Sequence, residues 1–135
     1  MSTAETEDAT PEVTDELPRL CKQLVRTAKS SRVRAAVQAL AEEQTILSVP
    51  AVRHALVVDT SRGAAARFEE LSGLQYGLGL DEQQRVFLSL VLSMVGIGIT
   101  TLASVEDLDD RRLPIVLRAI IRLAGNDTIA VGTRL

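Results

Sequence analysis

The chain has 135 residues, a net charge of −3 and a hydrophobic content of 46%, which is enough for one domain with a real core. Aromatic residues make up only 2%, so that core is aliphatic, and base stacking of the kind single-stranded nucleic-acid modules use is disfavoured. One cysteine excludes an intramolecular disulfide, and with a single histidine no catalytic triad or ordinary zinc site is expected; no secretory signal is visible.

Charge is unevenly placed. Glu5, Glu7, Asp8, Glu12, Asp15 and Glu16 form an acidic block, followed at once by Arg19, Lys22, Arg26, Lys29, Arg32 and Arg34. Residues 1–13 read as a disordered acidic tail, either solubilising or masking the basic stretch. Residues 14–135 read as one helical domain.

The first helix is expected to start between Thr14 and Pro18, with Thr14 as a cap and acidic residues at its positive end. At 100° per residue, Leu17, Leu20, Cys21, Leu24 and Ala28 share one face, and Arg19, Lys22, Arg26 and Lys29 lie nearly opposite. That register fails at Ser30-Ser31. A second helix should begin there, with Val33, Val37 and Leu40 inward, joined by Leu47 if it continues past Gln44. Residues 44–62 are ambiguous. Ser48-Val49-Pro50 looks like a helix start, with Val52 and Leu56 inward, yet residues 54–58 (HALVV) also read as a short strand. Residues 59–63 are loop, Ala64–Leu71 a short helix, and residues 73–79 a glycine-punctuated loop.

Asp81 and Gln84 form a capping box for a helix running to about Val95. That helix is apolar on all but one narrow stripe and should be central, with Gly96 and Gly98 ending it. Residues 99–105 read as a strand or a short helix. The last helix spans about Leu113-Pro114 to Ala124, stopped by Gly125-Asn126. The tail alternates like a strand. The expected fold is mainly α, a small bundle of five or six helices, with up to three short strands at residues 54–58, 96–103 and 128–132; α+β is the alternative.

Residues 86–105 carry no charge over twenty positions, long enough to cross a bilayer, but seven of them are Ser, Thr or Gly. A buried helix with its neighbour is the favoured reading, and a single-span or peripheral membrane protein is the alternative. From residue 86 onward 27 of 50 residues are apolar, against 35 of 85 before it. A small domain with such a surplus hides it against another copy or a partner.

Cys21 is expected in the core and His54 at a surface or core edge. Glu106 can face Asp109 or Asp110 at helical spacing, but the spacing is not that of a calcium loop, and solvated first-turn residues are the simpler reading. Residues 73–79 before a helix start suggest an anion site, but no phosphate-loop motif follows. No cofactor, metal or enzymatic activity is expected. The favoured function is a cytoplasmic, regulatory interaction module that self-associates or docks on a protein through an aliphatic C-terminal helical surface, with Ile115, Leu117, Arg118, Ile121 and Arg122 as contacts. A membrane partner is open. Nucleic-acid binding through the basic face of Arg19, Lys22, Arg26 and Lys29 is a less favoured alternative.

Overall fold

A computed structural model describes residues 16–73, 77–132 and 134. The first helix, α1, covers residues 16–27 of this set. Its start at Thr14 and the acidic tail lie outside the described residues. Leu24 is fully buried, Leu17, Leu20 and Cys21 are half-buried, and Arg19, Lys22 and Arg26 are exposed, as the helical spacing predicts. Ser30 then adopts an extended backbone, and its hydroxyl accepts the Val33 N–H at 3.2 Å. This cap starts α2, Ser31–Glu43, whose buried Ala35, Ala36, Val37, Ala39 and Leu40 let it pack between two later helices.

The second helix stops sooner than a Leu47 end would require. Gln44 takes φ 71° and ψ −43°, and the Thr45 N–H donates to the Glu43 carbonyl at 2.8 Å across it. This is a γ-turn, an uncommon and strained geometry for a non-glycine residue. Leu47 is still buried, but from the turn that follows. Pro50 opens α3, Pro50–Leu56, with Val52 and Leu56 inward as expected.

The HALVV segment divides between two structures: His54–Leu56 end α3, and Val57 begins β1, Val57–Thr60. Its partner is β2, Gly63–Ala66, where the sequence suggests the start of a helix. The two strands are antiparallel, in register from Val57 opposite Ala66 to Thr60 opposite Gly63. Three alanines favour a helix locally, but three hydrogen bonds override that preference. The Thr60 hydroxyl donates to the Gly63 carbonyl at 2.7 Å and closes a two-residue turn. On the outer edge of β2, the Ala64 N–H donates to Gln23 Oε1 at 2.9 Å, and the Thr27 hydroxyl donates to the Ala64 carbonyl at 2.9 Å. Side chains of α1 thus satisfy the groups a third strand would have used. The helix expected over 64–71 shrinks to α4, Glu69–Ser72, with Phe68 and Leu71 buried.

The central helix, α5, is Glu82–Met94. Its capping box is formed in full: the Gln84 N–H donates to Asp81 Oδ1 at 2.8 Å and the Asp81 N–H to Gln84 Oε1 at 2.9 Å. Phe87, Leu88, Leu90, Val91, Leu92 and Met94 are buried, which covers most of its circumference. The helix ends at Gly96, φ 81°, where the Gly96 N–H donates to the Ser93 carbonyl and the Ile97 N–H to the Leu92 carbonyl. No helix among the described residues is long and apolar enough to cross a membrane.

Residues 96–103 form no strand; the chain bends and enters a 3-10 helix, Leu102–Asp107. The final helix, α6, is Arg112–Leu123, within two residues of expectation at each end. Residues 128–132 form no strand either, because among the described residues no other strand lies beside them. The fold is mainly helical, with one two-stranded sheet among the described residues. Its aliphatic core joins Leu24, Leu40, Leu56, Phe87, Val91 and Val116. Each side chain of this size stabilises the fold by roughly 1.5–3 kcal/mol when fully buried.

Candidate functional site

The inner face of α6 packs on α2 through Ile115, Val116 and Ala119, all buried. Ile115 is therefore a core residue and does not belong to an open surface. The outer face carries Leu117 and Ile120, both exposed, with Ile121 half-buried beside them. Next to this face, α5, the 3-10 helix and α6 enclose a groove of about 200 Å³. Leu90, Met94, Leu102, Val105, Ile120 and Leu123 line it. Leu102 in its lining is 72% exposed, and Ile99, the chain neighbour of the lining residue Thr100, is 99% exposed. A projecting aliphatic ridge thus sits against an aliphatic hollow.

A polar network joins the start of α6 to the end of α2. The Glu43 carboxylate, at the end of α2, is fully buried. Its Oε1 accepts the Ile46 N–H at 2.8 Å. Its Oε2 accepts from Arg112 Nε at 3.0 Å, lies 2.9 Å from a terminal guanidinium nitrogen of Arg112, and lies 3.6 Å from Arg111. The Thr45 hydroxyl also bonds to it, and Arg111 donates to the Glu43 carbonyl. Arg112 reaches back to Asp109 at 2.6 Å, and its own N–H donates to Asp109 Oδ1 at 2.8 Å. The Gln84 amide donates to Thr45 Oγ1 at 3.1 Å, and Gln83 Oε1 accepts the Asp109 N–H at 2.9 Å. The end of α2 and the starts of α5 and α6 therefore meet in one network, and among the described residues no buried side-chain nitrogen or oxygen lacks a hydrogen-bond partner.

Electrostatics follow from that packing. Partial desolvation works against the Asp109 carboxylate, but the Arg112 N–H and guanidinium outweigh it and hold its pKa below the usual carboxylate range. For Arg112, desolvation opposes the charge, and the hydrogen bond and attraction of Glu43, then of Asp109, more than restore it. One residue earlier on α2, Glu42 takes both Arg118, at 2.8 Å, and Arg122. The two arginines expected as contacts are thus tied to their own chain along the flank of the aliphatic face.

Asp109 is consumed by Arg112 and caps α6, so it forms no cation site with Glu106, and no group of three or more acidic, histidine or cysteine side chains among the described residues can hold a metal. Cys21 is half-buried on α1, and burial pushes its thiol pKa up. His54 is exposed on α3, beside an open depression shared with Arg67 and Glu70. Arg19, Lys22, Arg26 and Lys29 are exposed, as expected. Part of the glycine-punctuated loop, residues 74–76, lies outside the described residues.

Glu43 is the residue that spacing patterns overlooked. Ala36, Leu40 and Glu43 fall at i, i+4 and i+7, so a carboxylate occupies the next position of a buried stripe. That mismatch is the signal that could have found it. Comparison of the chain with protein families, with curated proteins and with solved structures finds no match.

Proposed function

We propose that this chain is a helical interaction module that pairs with a second copy of itself through the outer face of α6 and the ridge before the 3-10 helix. The observation that carries this reading is the exposed aliphatic pair Leu102 and Ile120 lining the groove, with Ile99 and Leu117 exposed on the same two segments. A twofold contact requires one patch that fits itself. A patch with both a projecting ridge and a hollow meets that requirement, because the ridge of each copy can enter the hollow of the other.

The border of the patch supports the same occupant. Glu42 draws Arg118 and Arg122 down onto α2, so two like faces can approach without strong repulsion between four free guanidinium groups. Those ion pairs also order the rim in advance, which lowers the entropy cost of association. Each copy would add the same aliphatic surface, and burial of that surface supplies the driving force.

Light scattering on a sizing column tests the pairing. At about 0.1 mM chain, a concentration that corresponds to roughly −5.5 kcal/mol of association, the expected mass is twice that of one chain. Leu102→Glu with Ile120→Glu should return it to a single chain while the thermal melt stays cooperative. A single-chain mass for the unsubstituted protein at that concentration sinks the reading.

A further inference from the structure

A second surface, independent of the α6 pairing, is built from α1 and the turn between β1 and β2. Arg19, Lys22, Arg26, Lys29 and Arg62 are exposed there, and none makes an ion pair among the described residues. Arg67, Arg85, Arg111, Arg118 and Arg122 each make one, and Arg112 makes two. Arg26 donates to the Arg62 carbonyl at 3.0 Å, which joins helix and turn into one surface. Gly63 permits the approach. Its φ is 115°, and a Cβ there would lie 2.9 Å from the Arg26 guanidinium. Arg26 uses one of its five donors in this bond and keeps its charge at the surface.

We infer that this surface binds the phosphate backbone of duplex nucleic acid without reading sequence. Arg19, Lys22 and Arg26 advance along α1 at i, i+3 and i+7, about 10 Å of helix axis. Duplex DNA presents a phosphate charge every ~1.7 Å of its own axis, so several phosphates face such a row. The acidic residues on the same elements, Glu16 and Asp59, are fewer than the bases.

Two other polyanions fit less well. An anionic membrane binds amphipathic helices whose apolar side can enter the lipid. Here the apolar side of α1 is committed to the core, with Leu24 fully buried. Single strands are gripped by stacking on aromatic side chains. Phe68 and Phe87 are buried, and the surface carries no aromatic residue among the described ones. A regular backbone lattice, contacted by charge alone, is what remains.

Fluorescence anisotropy of a labelled duplex of about 20 base pairs, titrated with the full chain, tests this. Four phosphate contacts predict a loss of about 100-fold in affinity between about 50 and 200 mM salt, equal for two unrelated sequences. Arg19→Gln with Lys22→Gln should lower the slope of log affinity against log salt by about 2. Arg67→Gln with Arg134→Gln removes the same charge elsewhere and should leave the slope unchanged. No binding at about 50 mM salt overturns the inference. So does an equal loss of slope in the two double variants. Tighter binding to vesicles of phosphatidylcholine with phosphatidylserine than to the duplex also overturns it, in favour of a membrane.

Discussion

Arg111, Arg112, Arg118 and Arg122, at the start and along α6, all reach carboxylates of α2, whereas Arg19, Lys22, Arg26 and Lys29 reach none among the described residues. Both groups are runs of cations on amphipathic helices, and by composition they are alike. The difference lies in what faces them. Glu42 and Glu43 are neighbours on α2, about 100° apart around the helix. One therefore points along the flank toward Arg118 and Arg122, and the other into the core toward Arg112. Among the described residues no acidic pair of this kind faces the exposed side of α1. A basic stripe thus becomes a structural clamp where the facing helix supplies carboxylates and stays an open charged surface where it does not.

The contrast breaks most visibly at Glu43. Glu43→Ala leaves Arg112 without its buried counter-charge, and a loss of about 3–5 kcal/mol is expected, read as the shift in a urea unfolding midpoint. A loss below about 1 kcal/mol would make the clamp an ordinary surface pair. Asp109→Ala removes a cap and a partly exposed ion pair, so about 1 kcal/mol is expected at neutral pH. The folded-state pKa of Asp109 is lowered. Its contribution is therefore complete above the unfolded value of about 3.9 and fades as pH falls through the folded value. Thermal melts of the two proteins should accordingly converge below about pH 4 and stay apart above it. The smallest effect belongs to α1. Arg19→Gln with Lys22→Gln should change stability by no more than about 0.5 kcal/mol. A loss as large as that of Asp109→Ala would show these cations to be clamped too, and the contrast would fail.

Most of the helical framework was legible because its signals are local. The Ser30 cap, Pro50 at a helix start, the Asp81–Gln84 box and the Gly125-Asn126 stop each act within a few residues. The hairpin was not legible. Its second strand is mostly alanine, and its outer edge is satisfied by Gln23 and Thr27, about forty residues earlier in the chain. Residues 128–132 alternate like a strand but have none to pair with among the described residues, and alternation alone cannot supply a neighbour. The aliphatic surplus after residue 86 pointed to the C-terminal half as a whole. It could not divide Ile115, which is buried, from Leu117 and Ile120, which are not, since all three lie on the same helix. The clamp was hidden for a related reason: Glu43 and Arg112 are separated by 69 residues.

The turn at Gly96 carries one more consequence. Thirteen residues of α5 rise about 20 Å, well short of the ~30 Å of hydrocarbon in a bilayer. Yet the uncharged run goes on to residue 105, and in one unbroken coil it would reach that thickness. Apolar content is the same either way. Whether this stretch is a core strut or a length of greasy rod depends on the backbone sign at Gly96 and Gly98, two positions that have no side chain.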